Sequence, residues 1–386
     1  MEEKWVHFTA PTRVHIESDS IYKVGQFIQG FGTRALIISI RKESSNSEQL
    51  AMLENGIKKY LEGSVTYEDI QNEANTEQVD SASYFAKNSH IDLVVAYGGV
   101  ETIQVAKVVA LLANNSVFCA DLLNGEAKVT NKPFPLVVIP SQPTLGEEMS
   151  PDSSIIVAET GDIKYYSNYD LFPVACFYDV KVTRGLLPED IAKIGAGMIA
   201  YCIENLLSIR SNIIGQTILI KVIENIRKLL PKLYNEPSNE KLMSQLLWAS
   251  SMIGVAASTS SFGVAYALSK SLKTDPTVDY HLALGILLPH VMEYYLTAAP
   301  KHFLSIATSL GEETEDISII EAAIKAVEGV RKLFMAVNLP TRLSDFDLKK
   351  HQLGGFADIA ITFPQVASAP RKLTKNELES ILLAAF

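Results

Sequence analysis

The sequence contains few cysteines, and none of them has the spacing of a metal site. Cys119, Cys176 and Cys202 are its only three cysteines, and each lies among apolar neighbours. A disulfide framework or a zinc cluster needs several cysteines at short, recurring intervals. We therefore expect three buried, reduced thiols.

Basic stretches and long apolar runs are also missing. Lysine and arginine number 34 against 44 aspartates and glutamates, a net charge of −10 that is spread along the chain. Such a surface does not attract nucleic acid or anionic lipid. No run reaches the roughly 18 apolar residues of a membrane span, and the start, MEEKWVHFTA, lacks the features of a signal peptide. The sequence predicts no nucleic-acid partner, no membrane association and a cytoplasmic location.

What the chain does have is apolar residues, 47% of its 386 positions, enough for two domains with large cores. Its first half alternates short β runs with helical patterns, which indicates an α/β domain around a mostly parallel sheet. The predicted strands are Ala35–Ser39, Ile91–Ala96 and Pro135–Ile139, and the predicted helices cover 21–31, 47–62 and 76–88.

From Pro188 onward the pattern changes to long helices. Proline suits the first position of a helix, Glu189 and Asp190 favour its N-terminus, and apolar residues then recur at helical spacing. Further helices are predicted at 213–233, 239–258, 281–298, 316–336 and 374–385 (with Thr374 as N-cap), and one more is predicted to end near Leu268. We predict an α/β domain over 1–182 and an all-helical domain over 183–386, with a cleft between them.

A glycine turn follows the predicted strand Ile91–Ala96, in the stretch YGGVETIQVAKVV. Gly98 and Gly99 let the backbone approach a phosphate closely, and the helix that follows presents a partly positive N-terminus. Many strand-to-helix turns carry glycine only because the helix packs closely. This stretch alone is compatible with both interpretations.

Three further motifs accompany the turn: IPSQPTLGEEMS, PEDIAKIGAGMIAYCIEN and SSFGVAYALSKSLKTDPTVDYHLALGILLPHV. Together they resemble the iron-containing (group III) alcohol dehydrogenases of the dehydroquinate synthase-like superfamily, and the resemblance runs nearly from end to end. It implies a Rossmann-like dinucleotide-binding N-terminal domain, an all-α C-terminal domain and NAD(P) as cofactor.

The family carries GGGS, two residues, Asp, one residue and Ala-Lys at the glycine turn, to hold the cofactor pyrophosphate. Gly98, Gly99 and Lys107 match this pattern, whereas Glu101 replaces the serine and Gln104 replaces the aspartate. A carboxylate about 5 Å from a phosphate charge is repelled by roughly 3 kcal/mol at an effective dielectric constant of ~20. The alternative is that Glu101 only complements the dipole of its own helix, and that no phosphate binds.

Two other segments resemble cofactor-binding parts of the family. The loop Ile139–Ser150 corresponds to the loop around the nicotinamide, in which Glu148 agrees with the family and Thr144 departs from it. After the first long strand, many NAD-preferring members have an aspartate, but here Arg41 and Lys42 follow the strand. This favours NADP slightly over NAD, unless both are solvated loop charges.

The metal ligands of the family are not retained. Their four positions fall on Gly197, Tyr201, Phe262 and Tyr280, and a further family histidine falls on Tyr266. Glycine and phenylalanine have no ligand atom, and tyrosine binds a metal well only as the phenolate, at a pKa near 10. A catalytic site needs about three protein ligands. We therefore expect no metal.

Without a metal, another group must stabilise the oxygen of the substrate during hydride transfer. Tyr201, Tyr266 and Tyr280 are predicted to face one cleft, and Lys164 matches a family lysine near the active site. A phenol beside a lysine can donate a proton to a developing alkoxide. The alternative is that the aromatic rings fill the volume of the lost imidazoles and metal.

The sequence thus supports two hypotheses. The first is a metal-independent NAD(P)-dependent oxidoreductase of the alcohol dehydrogenase or carbonyl reductase type, acting in a biosynthetic pathway on a small-molecule or peptide carbonyl or alcohol. The second is a catalytically reduced partner or scaffold subunit of a complex that modifies a peptide or metabolite. A homodimer and a complex with a biosynthetic partner protein are both compatible with these hypotheses.

Overall fold

A computed structural model describes residues 8–40, 47–70, 73–183, 185–256 and 262–386. The chain forms two compact units: Ala10–Arg184, here called the α/β unit, and Gly185–Phe386 together with Met1–Thr9, here called the helical unit. Within the described ranges, no helix is both long and apolar enough to cross a membrane. The predicted cofactor residue Arg41 and its neighbour Lys42 lie outside the described residues.

The α/β unit contains a six-stranded parallel sheet and a two-stranded antiparallel hairpin. The strands are β1 Arg13–Ile16, β2 Arg34–Ile40, β3 Gly63–Ile70, β4 Leu93–Gly98, β5 Leu136–Pro140, β6 Asp152–Ile156, β7 Ile163–Ser167 and β8 Ala175–Tyr178. The large sheet has the order β1-β8-β5-β4-β2-β3, and β6 pairs with β7. The predicted parallel sheet and its three predicted strands are confirmed.

Helices cover the sheet and explain why its central strands are apolar throughout. The helices of this unit are α1 Val24–Ile28, α2 Ser47–Lys58, α3 Thr76–Asn88, α4 Val100–Leu112 and α5 Cys119–Asn124. All six residues of β4 are buried, as expected for a strand that is covered on both faces. The three cysteines are buried and unpaired, as predicted.

The order of strands in the sheet reverses between β2 and β4. The chain runs outward from β2 to β3 and then returns to build β4, β5 and β8 on the other side of β2. In open α/β sheets, ligands bind at the carboxyl ends of the strands where such a reversal occurs. Helix α4 begins directly after the carboxyl end of β4, beside this point.

The described part of the helical unit is built from helices and irregular segments. Its α-helices are α6 Pro188–Leu207, α7 Ile213–Asn235, α8 Glu240–Ala256, α9 Val264–Leu272, α10 Tyr280–Tyr295, α11 Pro300–Ser309, α12 Ile319–Met335, α13 Leu353–Ala360 and α14 Lys375–Ala384. Pro188 is the first residue of α6, and Thr374 caps α14, as predicted.

One predicted helix end was wrong. Helix α9 continues beyond Leu268 to Leu272, because Leu272 lies one helical turn further on and is fully buried like Leu268. The longer helix places Tyr266 and Lys270, four residues apart, on one face of α9.

Candidate functional site

The two positions of the turn after β4 are glycine for different structural reasons. A methyl group on Gly98 would lie 2.4 Å from Oγ1 of Thr102, so close packing against α4 excludes a side chain there. At Gly99, the nearest atoms to such a group are 3.7 Å away. Gly99 is the N-cap of α4 and makes no side-chain cap. We call this helix N-terminus open in the sense that no side chain of the cap residue occupies it. Packing thus explains Gly98, and an anion site is compatible with Gly99.

Two side chains border the open helix end. An oxygen of the Glu101 carboxylate lies 3.9 Å from the position that a Cβ on Gly99 would take, and the amide nitrogen of Gln142 lies 3.7 Å from it. Glu101 complements the helix dipole in the absence of a ligand and would repel a phosphate. Gln142 can donate a hydrogen bond to a phosphate. The sequence interpretation overlooked it, although Gln142 follows β5, the parallel neighbour of β4.

Gln104, a predicted cofactor residue, is used within the protein. Its side-chain oxygen accepts a hydrogen bond from the backbone N–H of Ser154 at 2.9 Å, and its carbonyl accepts one from Ser153 Oγ at 3.0 Å. Both partners lie on β6. The structure therefore shows Gln104 joining α4 to the hairpin, and it does not place this side chain at the glycine turn.

Lys107 is likewise enclosed by protein atoms. Its ammonium group donates to the carbonyl oxygens of Ser150, at 2.8 Å, of Asp152, at 2.9 Å, and of Glu147. The side chain is fully buried, and burial lowers its pKa to about 8. In this arrangement Lys107 fixes the loop after β5 to α4. Its contact with a cofactor phosphate stays a prediction.

Thr144 and Glu148, two further predicted cofactor residues, belong to a buried hydrogen-bond network within the same loop. The Glu148 carboxylate is fully buried and accepts hydrogen bonds from Thr144 Oγ1 and from the hydroxyl group of Tyr178. Burial is the main reason that the pKa of Tyr178 is raised well above its usual value. Gly146, with φ 94°, allows the loop to turn between them. These residues shape the backbone of the loop that the sequence resemblance assigns to the nicotinamide.

The structure brings all three predicted tyrosines into one cluster in the helical unit. The ring of Phe262 meets Tyr201 edge-on, with centroids 4.5 Å apart, and stacks on Tyr266 at 3.9 Å. The ammonium nitrogen of Lys270 lies 5.4 Å from the ring centroid of Tyr266 and 3.7 Å from that of Tyr280. We call these five residues the tyrosine cluster. Its tyrosines are 3–7% exposed, so each is almost entirely enclosed.

The lysine of this cluster is not the one predicted from the sequence. Lys164 lies on β7 in the α/β unit, opposite Ile155. In the helical unit, Lys270 is joined by Lys273, whose ammonium nitrogen lies 5.5 Å from the ring of Tyr280. The spacing of four residues between Tyr266 and Lys270 is the signal that identifies this lysine, once α9 is known to extend past Leu268.

Glu204 fixes one side of the tyrosine cluster. Its buried carboxylate, on α6, accepts hydrogen bonds from the backbone N–H groups of Gly263, Ala265 and Tyr266 at 3.0, 2.5 and 3.3 Å. Burial raises its pKa to about 7, although these hydrogen bonds act in the opposite direction. Glu204 lies three residues after Tyr201, so it connects the first turn of α9 to the helix that carries Tyr201.

The residues at the four family ligand positions do not fit an iron or zinc ion. Gly197 offers no side chain, and the ring of Phe262 packs between two tyrosines. Among the residues that the structure describes, no three histidine, cysteine, aspartate or glutamate side chains lie close enough to share an ion. The nearby His281 packs its ring on Tyr280, with centroids 3.8 Å apart. A catalytic zinc site needs about three such ligands.

Comparisons with known proteins agree with the fold. The family model described as iron-containing alcohol dehydrogenase matches residues 11–180, and the model of the C-terminal part of the Fe-containing alcohol dehydrogenase family matches 191–386. Long-chain-alcohol dehydrogenase 1 of Geobacillus thermodenitrificans is 26% identical over 83% of this chain and 81% of its own length. The 1,3-propanediol dehydrogenase of Citrobacter freundii is 25% identical over 82% and 81%.

Solved structures show the same architecture. A crystal structure of 1,3-propanediol oxidoreductase superposes with a TM-score of 0.92 at 21% identity and covers 99% of this chain and 100% of its own. Sulfoacetaldehyde reductase from Bifidobacterium kashiwanohense, solved in complex with NAD+, gives a TM-score of 0.88 at 18% identity and covers 99% of both chains.

Proposed function

This chain belongs to the family of iron-containing alcohol dehydrogenases, and we propose that it is an NAD(P)-dependent oxidoreductase that interconverts a carbonyl compound and an alcohol without a metal ion. The observation that carries the cofactor proposal is the open N-terminus of α4 at Gly99, beside the point where the strand order reverses. A relative solved with NAD+ supports a nicotinamide cofactor. The preference for NADP rests on Arg41 and Lys42 in the sequence.

The nicotinamide, when bound, supplies or accepts a hydride, and the protein must then stabilise the oxygen of the substrate and move its proton. The tyrosine cluster provides phenol groups for this task. Metal independence is supported by Gly197 and Phe262, which bring no ligand atom to two of the four family positions. The names of the relatives refer to alcohols, diols and an aldehyde, and we propose small substrates of this class.

The proposal is tested first by cofactor binding. NADH and NADPH are titrated into purified protein while their fluorescence is followed, and we expect saturation below millimolar concentration. Absence of binding at millimolar cofactor would refute the proposal. Turnover of an aldehyde panel is then measured before and after treatment with a chelator, alongside the iron and zinc content. Activity that disappears with the chelator and returns with metal would refute metal independence alone.

A second function is favoured by the internal use of predicted cofactor residues. Gln104, Lys107 and Glu148 all hydrogen-bond within the protein, and Glu101 borders the turn. These contacts support a partner or scaffold subunit, as a homodimer or in a biosynthetic complex that modifies a peptide or metabolite. Affinity capture from the native host tests this function. Full turnover by the isolated protein would rule it out.

A further inference from the structure

Tyr280 lies in an environment of charged groups from three parts of the helical unit. Above its ring are Lys270 of α9, 3.7 Å from the ring centroid, and Lys273, at 5.5 Å. Next to it in sequence are the α10 cap Asp279 and the ring of His281. The ammonium group of Lys193, on α6, pairs with Asp279 at 2.8 Å.

The pKa of the adjacent His281 is affected by these charges. The pKa of His281 is lowered to about 4, first because the ring is buried and second because of the positive charge of Lys270. Lys273 and Lys193 act in the same direction, and Asp279 opposes them. Three ammonium groups therefore act on His281 beside Tyr280, partly offset by the carboxylate of Asp279.

The same charge acts on the phenol of Tyr280. A cation over an aromatic face is attracted to the π electrons, and this attraction increases when the ring carries a phenolate. An opposite charge within roughly 4–6 Å lowers the pKa of an acid by about 1–3. Burial of Tyr280, which is 7% exposed, acts against this effect. Because Lys270 is closer to Tyr280 than to Tyr266, Tyr280 receives the larger share of its influence.

We propose that Lys270 is a positioning residue that acts through Tyr280, and that Tyr280 is the tyrosine that exchanges a proton with the oxygen of the substrate. The proposal rests on the proposed function. In carbonyl reduction, the carbonyl carbon accepts a hydride with its two electrons from the reduced cofactor. The π electrons of the C=O bond move to the oxygen, which takes the proton of Tyr280. The phenolate is stabilised by Lys270 until solvent returns a proton.

The experiment measures the ionisation of Tyr280 directly. Tyrosine isotope-labelled at the carbon that bears the hydroxyl group is incorporated, and the NMR signal of Tyr280 is assigned as the one lost in Tyr280→Phe. Titrations then compare wild type, Lys270→Met, Lys270→Arg and, as a matched control, Lys221→Met, which removes an exposed lysine of α7 in the same unit. We expect Tyr280 to ionise about one pH unit higher in Lys270→Met. Lys270→Arg should restore the wild-type value, and Lys221→Met should leave it unchanged.

The titration requires neither cofactor nor substrate, so it is independent of the proposed function. An unchanged Tyr280 ionisation in Lys270→Met, or an equal shift in Lys221→Met, would overturn the role of Lys270. Absence of cofactor binding would refute only the proposed function. Thermal unfolding verifies that each variant is folded, and Lys270→Gln provides the same comparison if the methionine variant is not. In an active enzyme, the acidic group in the pH profile of turnover should shift by the same amount.

Discussion

The glycine turn of the α/β unit and the tyrosine cluster of the helical unit carry the residues that the sequence resemblance assigns to the family's cofactor site and metal site. At the turn, a phosphate would be bound by backbone groups. These are supplied by Gly99 and the open helix end, at the carboxyl edge of the sheet. In the cluster, metal binding depends on donor atoms of side chains, and Gly197 and Phe262 have none. On our proposal, a phosphate site built from backbone withstands the loss of flanking side chains, whereas a metal site does not.

The largest expected effect tests how the cluster is held. Glu204 has a pKa of about 7 in the folded protein, above its ordinary value of 4.5. Between these pH values the unfolded chain has lost the proton and the folded protein keeps it, so stability falls as pH rises from 4.5 to 7. We expect this loss, on the order of 3 kcal/mol, to be absent in Glu204→Gln. Urea unfolding across this pH range measures it.

The control for Glu204→Gln is Glu224→Gln, which removes one negative charge from an exposed ion pair with Lys221 on α7. If the wild type and Glu204→Gln lose stability in parallel between pH 4.5 and 7, the buried carboxylate does not titrate there. In that case Glu204 caps α9 without any link to pH.

The next effect concerns the side-chain chemistry of the cluster. Tyr280→Phe removes only the hydroxyl group, and we expect turnover to fall by about 10²-fold or more, because general acid catalysis is lost. Affinity for NAD(P)H should not change. Tyr201→Phe should cost less if Tyr280 is the acid. Tyr84→Phe, at a tyrosine that is 71% exposed in the α/β unit, is the control. Wild-type turnover in Tyr280→Phe would assign the ring to packing.

The two glycines of the turn provide a third test, this time of the backbone. Gly98→Ala brings a methyl group within 2.4 Å of Thr102, and we expect it to cost about 1–3 kcal/mol of stability through overpacking. Gly99→Ala meets nothing closer than 3.7 Å, so stability should change little while cofactor affinity falls. Urea unfolding and cofactor titration separate the two. Equal losses of stability would show that both glycines serve packing only.

The sequence predicted the elements whose evidence is local. A continuous apolar run identified β4, and the proline and acidic residues at its start identified α6. The roles of Gln104 and Lys107 depend on contacts with residues 40 or more positions away, in the loop and hairpin after β5. The spacing of residues in the sequence does not indicate such long-range contacts. The prediction that these side chains bind a cofactor therefore rested on the motif match alone.

Lys270 was missed for a different reason. Because α9 was predicted to end near Leu268, Lys270 was not placed on the same helix as Tyr266. The family resemblance indicated Lys164 instead. Burial of Leu272 decides the true end of the helix, and it depends on tertiary packing. The three tyrosines were nevertheless found from the sequence, because each replaces a side chain of known position in the family.

The smallest expected effect tests whether the turn still tolerates a phosphate beside Glu101. Repulsion of up to about 3 kcal/mol sets the upper limit, and solvent reduces it at this half-buried position. Glu101→Ser should therefore tighten NADPH binding by about tenfold at low salt, and by less at high salt. Fluorescence titration at two ionic strengths measures both values.

The matched control is Glu77→Ser, which removes an exposed first-turn glutamate from α3 in the same unit. It should leave NADPH affinity unchanged, because α3 does not begin at the glycine turn. If Glu101→Ser and Glu77→Ser have the same effect, the carboxylate at the turn does not face the cofactor. Repulsion by Glu101 would then not limit NADPH binding, and the backbone site would depend on the Gly99→Ala titration alone.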